Sequence, residues 1–265
     1  GAVVEINSET DFVANGDGFK ALAADIAEIV ADENPADVEA LLATKKDGKT
    51  VEEMVQELFL AVRENIKVRR FARYEGKVVS YVHAGGKIGV LVNFDTTLDA
   101  DNAEFVQMGK NIAMQIAAMN PIAIDEAGVP ESVKEAEIQV AIDKTKKEQV
   151  DKAVEVALKK AGINPAHVDS EDHMESNMAK GWITAEDVAK AKEIIATVSA
   201  EKAAHLPEQM IQNIAKGRLG KFLKEVCLLN QEDIMDGKKT VREVLKEADP
   251  ELKVVDFKRF TLRAE

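Results

Sequence analysis

Four histidines, one cysteine and a glycine-rich turn are the residues of this chain most able to carry bond chemistry, and none stands in a spacing that would do so. His83, His167, His173 and His205 lie far apart in unrelated surroundings, and no Cys or Ser sits in a recognisable nucleophile motif. Gly85-Gly86-Lys87-Ile88-Gly89 has the look of a phosphate loop. It lacks the glycine four residues before Gly-Lys, and Ile88 stands where the loop needs Ser or Thr, so the stretch reads as a hairpin turn. Asp169, Glu171, Asp172 and His173 lack the glycine and the spaced oxygen ligands of a calcium hand, so they read as a solvated loop. Cys227 alternates with apolar residues and reads as a core position in a strand. No catalytic group, metal site or cofactor is therefore expected, and binding is the expected mode of action.

The residue whose surroundings ask for a partner is Phe12. Val3, Val4 and Ile6 are branched residues that favour a strand, while Asn7, Ser8, Thr10 and Asp11 compete for local backbone hydrogen bonds and favour a turn or helix cap. From Phe19 the apolar residues Leu22, Ala23, Ile26, Ile29 and Val30 recur at helical spacing. Asp11, Phe12 and Val13 thus sit at a strand-to-helix corner, with an aromatic side chain among acids. Two readings stand for Phe12: a staple that packs back on the first helix, or an exposed anchor that fills a pocket on a partner.

Composition narrows the class of partner. The chain has 265 residues, with 35 basic against 48 acidic residues and a formal charge of −13, which repels nucleic-acid phosphates and anionic lipid. Direct nucleic-acid binding is not expected, and a basic or mixed protein surface fits better. Hydrophobic residues make up 46% of the chain, enough for one or two packed cores, and no apolar run approaches the ~20 residues of a membrane span. One cysteine excludes an internal disulfide and is compatible with a reducing, cytoplasmic location.

The elements that must position the corner follow from the pattern. Asn34-Pro35-Ala36-Asp37 is a break with a helix-start signal, and Thr50-Val51-Glu52-Glu53 is a capping box ahead of the apolar stripe Val51, Met54, Val55, Leu58 and Val62. The apolar runs around Ile66–Phe71, Val78–Val82 and Ile88–Phe94 are expected to form a three-stranded antiparallel meander. A helix is expected from Asn102 to Met119. Val150, Val154, Ala157 and Ala161, then Val188, Ala191, Ile195 and Val198, follow heptad-like spacing around a break at Gly162 to Trp182, which predicts an antiparallel helical hairpin. The tail carries a weak repeat. Glu225–Asn230 echoes Val3–Asn7, Lys239–Glu247 echoes Lys49–Glu57, and Val255–Phe260 echoes Lys67–Phe71, so a strand, capped helix and strand unit is expected twice.

Asn7-Ser8-Glu9-Thr10-Asp11-Phe12-Val13-Ala14 resembles the signature of elongation factor Ts, the family that releases guanine nucleotide from elongation factor Tu. Similar family-like words follow in order: Glu64-Asn65-Ile66 with Arg69-Arg70, His83 to Val92, Asn111 to Ala118, and Lys224 to Leu229. The resemblance implies an α+β fold of two related subdomains, each a small antiparallel sheet with helices, plus an inserted coiled-coil hairpin. The expected division is 1–100, then 101–132 with 204–265, with the hairpin at 133–203. The family also carries a small helical domain ahead of this point, and the chain is expected to be the core lacking it. By resemblance, Thr10, Asp11, Phe12 and Val13 contact the nucleotide domain of elongation factor Tu near its magnesium, and Ile88, Gly89, Val90 and Gln115 make a second contact. Histidine occupies the Gln115 position in some members. The Glu64 to Arg70 stretch reads as internal scaffold. The expected function is guanine-nucleotide exchange by disturbing the magnesium and phosphate site. A non-catalytic scaffold of the same fold, and a small-molecule enzyme using the Gly85-Gly86-Lys87 turn, are the alternatives.

Overall fold

The computed structural model describes residues 1–262. The chain runs β1 (Ala2–Asn7), the single turn α1 (Asp11–Ala14), α2 (Asp17–Glu33), α3 (Val38–Ala43), the short strands β2 (Lys45–Lys46) and β3 (Lys49–Thr50), α4 (Val51–Val62), β4 (Lys67–Arg73), β5 (Lys77–His83) and β6 (Ile88–Asp95). It continues with α5 (Ala103–Met119), α6 (Glu131–Lys160), α7 (Glu171–Ala179), α8 (Ala185–Ala204), α9 (Glu208–Val226), α10 (Val241–Ala248) and β7 (Lys253–Thr261). The fold is α+β. Two compact units divide it, one made of Gly1–Gly128 and the chain from Lys224 onward, the other of Val129–Leu223.

In the first unit the helices start where short polar side chains accept from otherwise unpaired amides. Asp37 accepts from the Ala40 amide and Asn102 from those of Glu104 and Phe105. Thr50 and Glu53 form a complete capping box on α4, and Thr240 and Glu243 form one on α10. The repeat extends to an ion pair. Lys49 Nζ donates to Glu57 Oε2 at 2.9 Å, and Lys239 Nζ donates to Glu247 Oε2 at 2.6 Å, in the same position relative to each capping box.

Two expectations about strands are corrected by the pairing. β4 does not join β5 and β6 in a meander: it pairs antiparallel with β1, while β5, β6 and β7 form a separate antiparallel sheet. Alternation along a strand says which face is buried but not which neighbour it pairs with. The second correction concerns Glu225–Asn230. There α9 continues to Val226, Cys227 makes an isolated bridge to Ala123, and Leu228–Asn230 form a 3-10 turn. Cys227 and Leu228 are fully enclosed, so the apolar run is explained by burial on all sides rather than by a sheet.

Two apolar cores lie within this unit. One joins Ile6, Leu22, Ile26, Leu41, Val51 and Val68 under β1, β4 and the first helices. The other joins Val79, Val90 and Phe94 to Phe105 and Ile112 of α5, and to Leu228 and Leu245. In this second core β5 and β6 pack with α5, and β6 pairs with β7 near the far end of the chain. Gly109 permits that packing, since a Cβ there would overlap the side chain of Val79.

In the second unit α6 and α8 form the expected antiparallel hairpin. Val154 and Leu158 meet Val188, Ala191 and Ile195 near one end, while Lys146 and Val150 share a cleft with Ala203 and Ala204 near the other. The break holds more structure than expected. Ser170 caps α7, and Met174 joins Ile163, Val168 and Ile183 in a small buried cluster with Leu158 and Ala191. Among the described residues no helix is long and apolar enough to cross a membrane.

Candidate protein-binding site

The corner after β1 is built by four side chains from two distant segments. Thr10 caps α1: its Oγ1 accepts from the Val13 amide at 3.3 Å and donates to Glu64 Oε1 at 2.6 Å. The Thr10 amide donates to Glu64 Oε2 at 3.0 Å, so one carboxylate holds both polar groups of the cap. In the reverse direction the Asn65 amide donates to Glu9 Oε1 at 3.1 Å. Glu64 and Asn65 are presented by the end of α4, which stops at Arg63 in the left-handed conformation with φ 61°. The corner is thus clamped from both sides.

Within α1, neighbouring side chains point about 100° apart, so burying one exposes the next. Val13 is the buried one, at 7% exposure, and Phe12 projects into solvent at 89%. The staple reading of Phe12 is excluded by that exposure, and the exposed-anchor reading fits. Asp11 stands exposed beside it in the first turn, where its charge complements the helix amino terminus. Of the four residues expected to contact a partner here, Asp11 and Phe12 face outward, Thr10 is committed to the clamp, and Val13 anchors the turn in the core.

The second expected contact resolves differently. Val90 is fully enclosed in the middle strand, and Ile88 is half-buried on the β5–β6–β7 core. Gly89 does allow a close approach, but the approaching group is internal: a Cβ there would lie 2.7 Å from Val3 Cγ2. Gln115 is a correction. It is completely buried, and its amide donates to Gln231 Oε1 at 3.2 Å and to the Glu232 carbonyl at 3.0 Å. Its own oxygen accepts from the Ile234 amide at 2.9 Å. A helical position with polar character looks exposed in sequence, yet here it satisfies a loop that packs on the helix.

That loop carries residues missed in the sequence. Ile234 is 41% and Met235 66% exposed, and Met119 and Ile122 at the end of α5 are 44% and 50% exposed. The available signal was the same one that marked Phe12, an apolar pair set between Asp233 and Asp236. On β5, Val82 is exposed beside the turn at Ala84–Gly86, where φ is positive at three successive residues.

The Glu64–Arg70 stretch is internal, as its mixture of core and charged residues suggests. Glu5, buried on β1, accepts from Arg69 Nη1 at 3.0 Å and Arg70 Nη2 at 3.3 Å, and Arg70 lies 4.3 Å over the Phe260 ring. The histidines are dispersed: His83 bonds to Tyr81, His173 to Asp169 and His205 to the Glu201 carbonyl, while His167 stacks on Trp182.

A profile of the family described as Elongation factor TS matches residues 9–159 and 138–264. The Elongation factor Ts of Phocaeicola vulgatus is 64% identical over 265 residues, covering all of this chain and 79% of the relative. That of Bacteroides fragilis is 61% identical over 267 residues, with the same shares. The Elongation factor Ts of Methylobacillus flagellatus is 40% identical over 251 residues, 93% of this chain and 63% of the relative. Matches over the whole length, on a fold whose first corner presents the signature aromatic to solvent, establish that the chain belongs to the elongation factor Ts family.

Proposed function

We propose that this chain is a guanine-nucleotide exchange factor for elongation factor Tu, acting in translation elongation in the cytoplasm without bond chemistry of its own. The observation that carries the reading is Phe12, a large apolar side chain 89% exposed on a turn clamped by Glu64 and Glu9. An exposed aromatic on a backbone already held in place is the kind of group that enters a pocket on a partner, since the turn itself loses little conformational entropy. Membership of the family supports elongation factor Tu as that partner.

The exchange follows from linkage. A factor that binds the nucleotide-free partner more tightly than the loaded one weakens nucleotide binding by the same ratio. Phe12 and Asp11 entering beside the partner's magnesium would disturb the ion that neutralises the bound phosphates, which is the efficient way to loosen GDP. Thr10, itself exposed, holds the wedge through its bonds to Glu64, and Val13 anchors the turn beside the cleft. For the second contact the proposed surfaces are the turn between β5 and β6 and the exposed Met235, whose loop Gln115 holds in place.

Stopped-flow release of fluorescent GDP from elongation factor Tu at varied magnesium tests this. The parent is expected to accelerate release, and Phe12→Ala is expected to lose at least tenfold of that acceleration with an unchanged melting temperature. Equal activity in the two proteins would remove Phe12 from the mechanism, and measurable affinity of this chain for free GDP would count against an exchange role.

A further inference from the structure

Phe12 stands at the edge of a cleft. Beside it α1, the start of α2 and the last turns of α4 enclose about 700 Å³, with Phe19, Leu58, Ala61 and Val62 as apolar walls. Asp11 and Glu64 also line it, and among the described lining residues none is cationic. The cleft is kept open by a missing side chain. Gly18 lies within α2 opposite Leu58, and a Cβ there would sit 3.4 Å from Leu58 Cδ1, an ordinary contact distance. The glycine is therefore not required by crowding. Its backbone is not left-handed either, so what its hydrogen contributes is room.

We propose that this cleft receives an apolar side chain flanked by a lysine or arginine from the same protein that accepts Phe12. The inference rests on the exchange reading above and deepens it: the contact becomes reciprocal, with one apolar group given and one taken within a few residues. The cleft is continuous with the proposed interface through Phe12 itself. Binding hot spots pair across interfaces, and an apolar wall beside an anchor is desolvated at the same moment as the anchor. The carboxylates select the flanking charge, since Asp11 is exposed at the rim and the chain carries a net charge of −13.

The test fills the cleft from its two sides. Gly18→Leu places a side chain in it from α2, and Ala61→Leu does so from the exposed face of α4. Both backbones are helical and both positions open to the cleft, so both variants are expected to melt at or above the parent temperature. Each is expected to raise by at least tenfold the concentration giving half-maximal GDP release from elongation factor Tu, and the Kd for nucleotide-free elongation factor Tu by the same factor. Gln56→Leu, exposed on α4 but outside the cleft, should stay within threefold of the parent. Ala61→Lys, which places a cation near Glu64, should weaken binding more than Ala61→Ser and should do so less at high salt. An active parent with Gly18→Leu and Ala61→Leu indistinguishable from it overturns the cleft and leaves the exchange reading standing. A parent that neither accelerates release nor binds elongation factor Tu overturns both.

Discussion

Thr10 and Glu64, 54 residues apart in the chain, are joined by two hydrogen bonds to one carboxylate, at 3.0 Å from the Thr10 amide and 2.6 Å from its hydroxyl. The same hydroxyl caps α1, so the direction of Phe12 depends on a side chain at the end of α4. Glu64→Ala should cost about 1 kcal/mol of stability, below the usual value for a charged acceptor because both bonds are exposed to water. Its exchange activity should fall at least fivefold. Urea unfolding and GDP release measured on the same sample separate the two effects: loss of stability with full exchange would show that the clamp does not aim Phe12.

Gln115 is expected to act on stability first. Replacing it by alanine leaves the Ile234 amide and the Glu232 carbonyl without that partner in a closed site, which should cost about 2 kcal/mol. A shift of the urea midpoint without a change in slope is the expected result. A variant as stable as the parent would mean that water replaces the amide.

Glu5 tests the internal reading of the paired arginines. Its side chain is 3% exposed, whereas Arg69 and Arg70 are 51% and 29% exposed. Removing Glu5 takes a charged partner from both arginines, but Arg69 is half exposed and Arg70 keeps the Thr261 carbonyl and the Phe260 ring, so Glu5→Ala should destabilise by about 1.5 kcal/mol, the lower end for hydrogen bonds to a charged group. Phe12 remains exposed in that variant. At temperatures where it is folded, exchange should persist, as GDP release at 15 °C would show.

A pH dependence follows from Glu53. Its hydrogen bond from the Thr50 amide, the largest cause, holds the carboxyl below its ordinary value of 4.5. A depressed carboxylate contributes stability that is fully present above the unfolded value and is lost as pH falls through the folded one. Glu53→Gln should therefore be less stable than the parent by a constant amount above about pH 5, with the gap closing below 4.5. Urea midpoints between pH 3 and 7 would check it, and a gap that widens toward acid would refute the assignment.

Much of the fold was legible because local chemistry decides it. Thr50-Val51-Glu52-Glu53 and Thr240-Val241-Arg242-Glu243 specify helix starts wherever the chain places them, and the heptad-like stripes of α6 and α8 specify a seam. The partners of β4 were not legible. Ile66, Val68 and Phe71 are apolar positions that suit a meander with β5 or a pair with β1 equally, and the choice rests on which sheet closes over Ile26 and Val30.

For the site, the sequence alone determined that an aromatic and an acid stand at a strand-to-helix corner, because Asn, Ser, Thr and Asp compete for the backbone there and end the strand. Tertiary structure decided which side of that corner faces water. Val13 and Phe12 are both apolar and adjacent, and only the packing of α1 on its neighbours buries one and turns the other out. It likewise decided that Gln115 lies inside and Met235 outside, since a glutamine is compatible with either place until a loop from more than a hundred residues away brings its own unpaired amide to it.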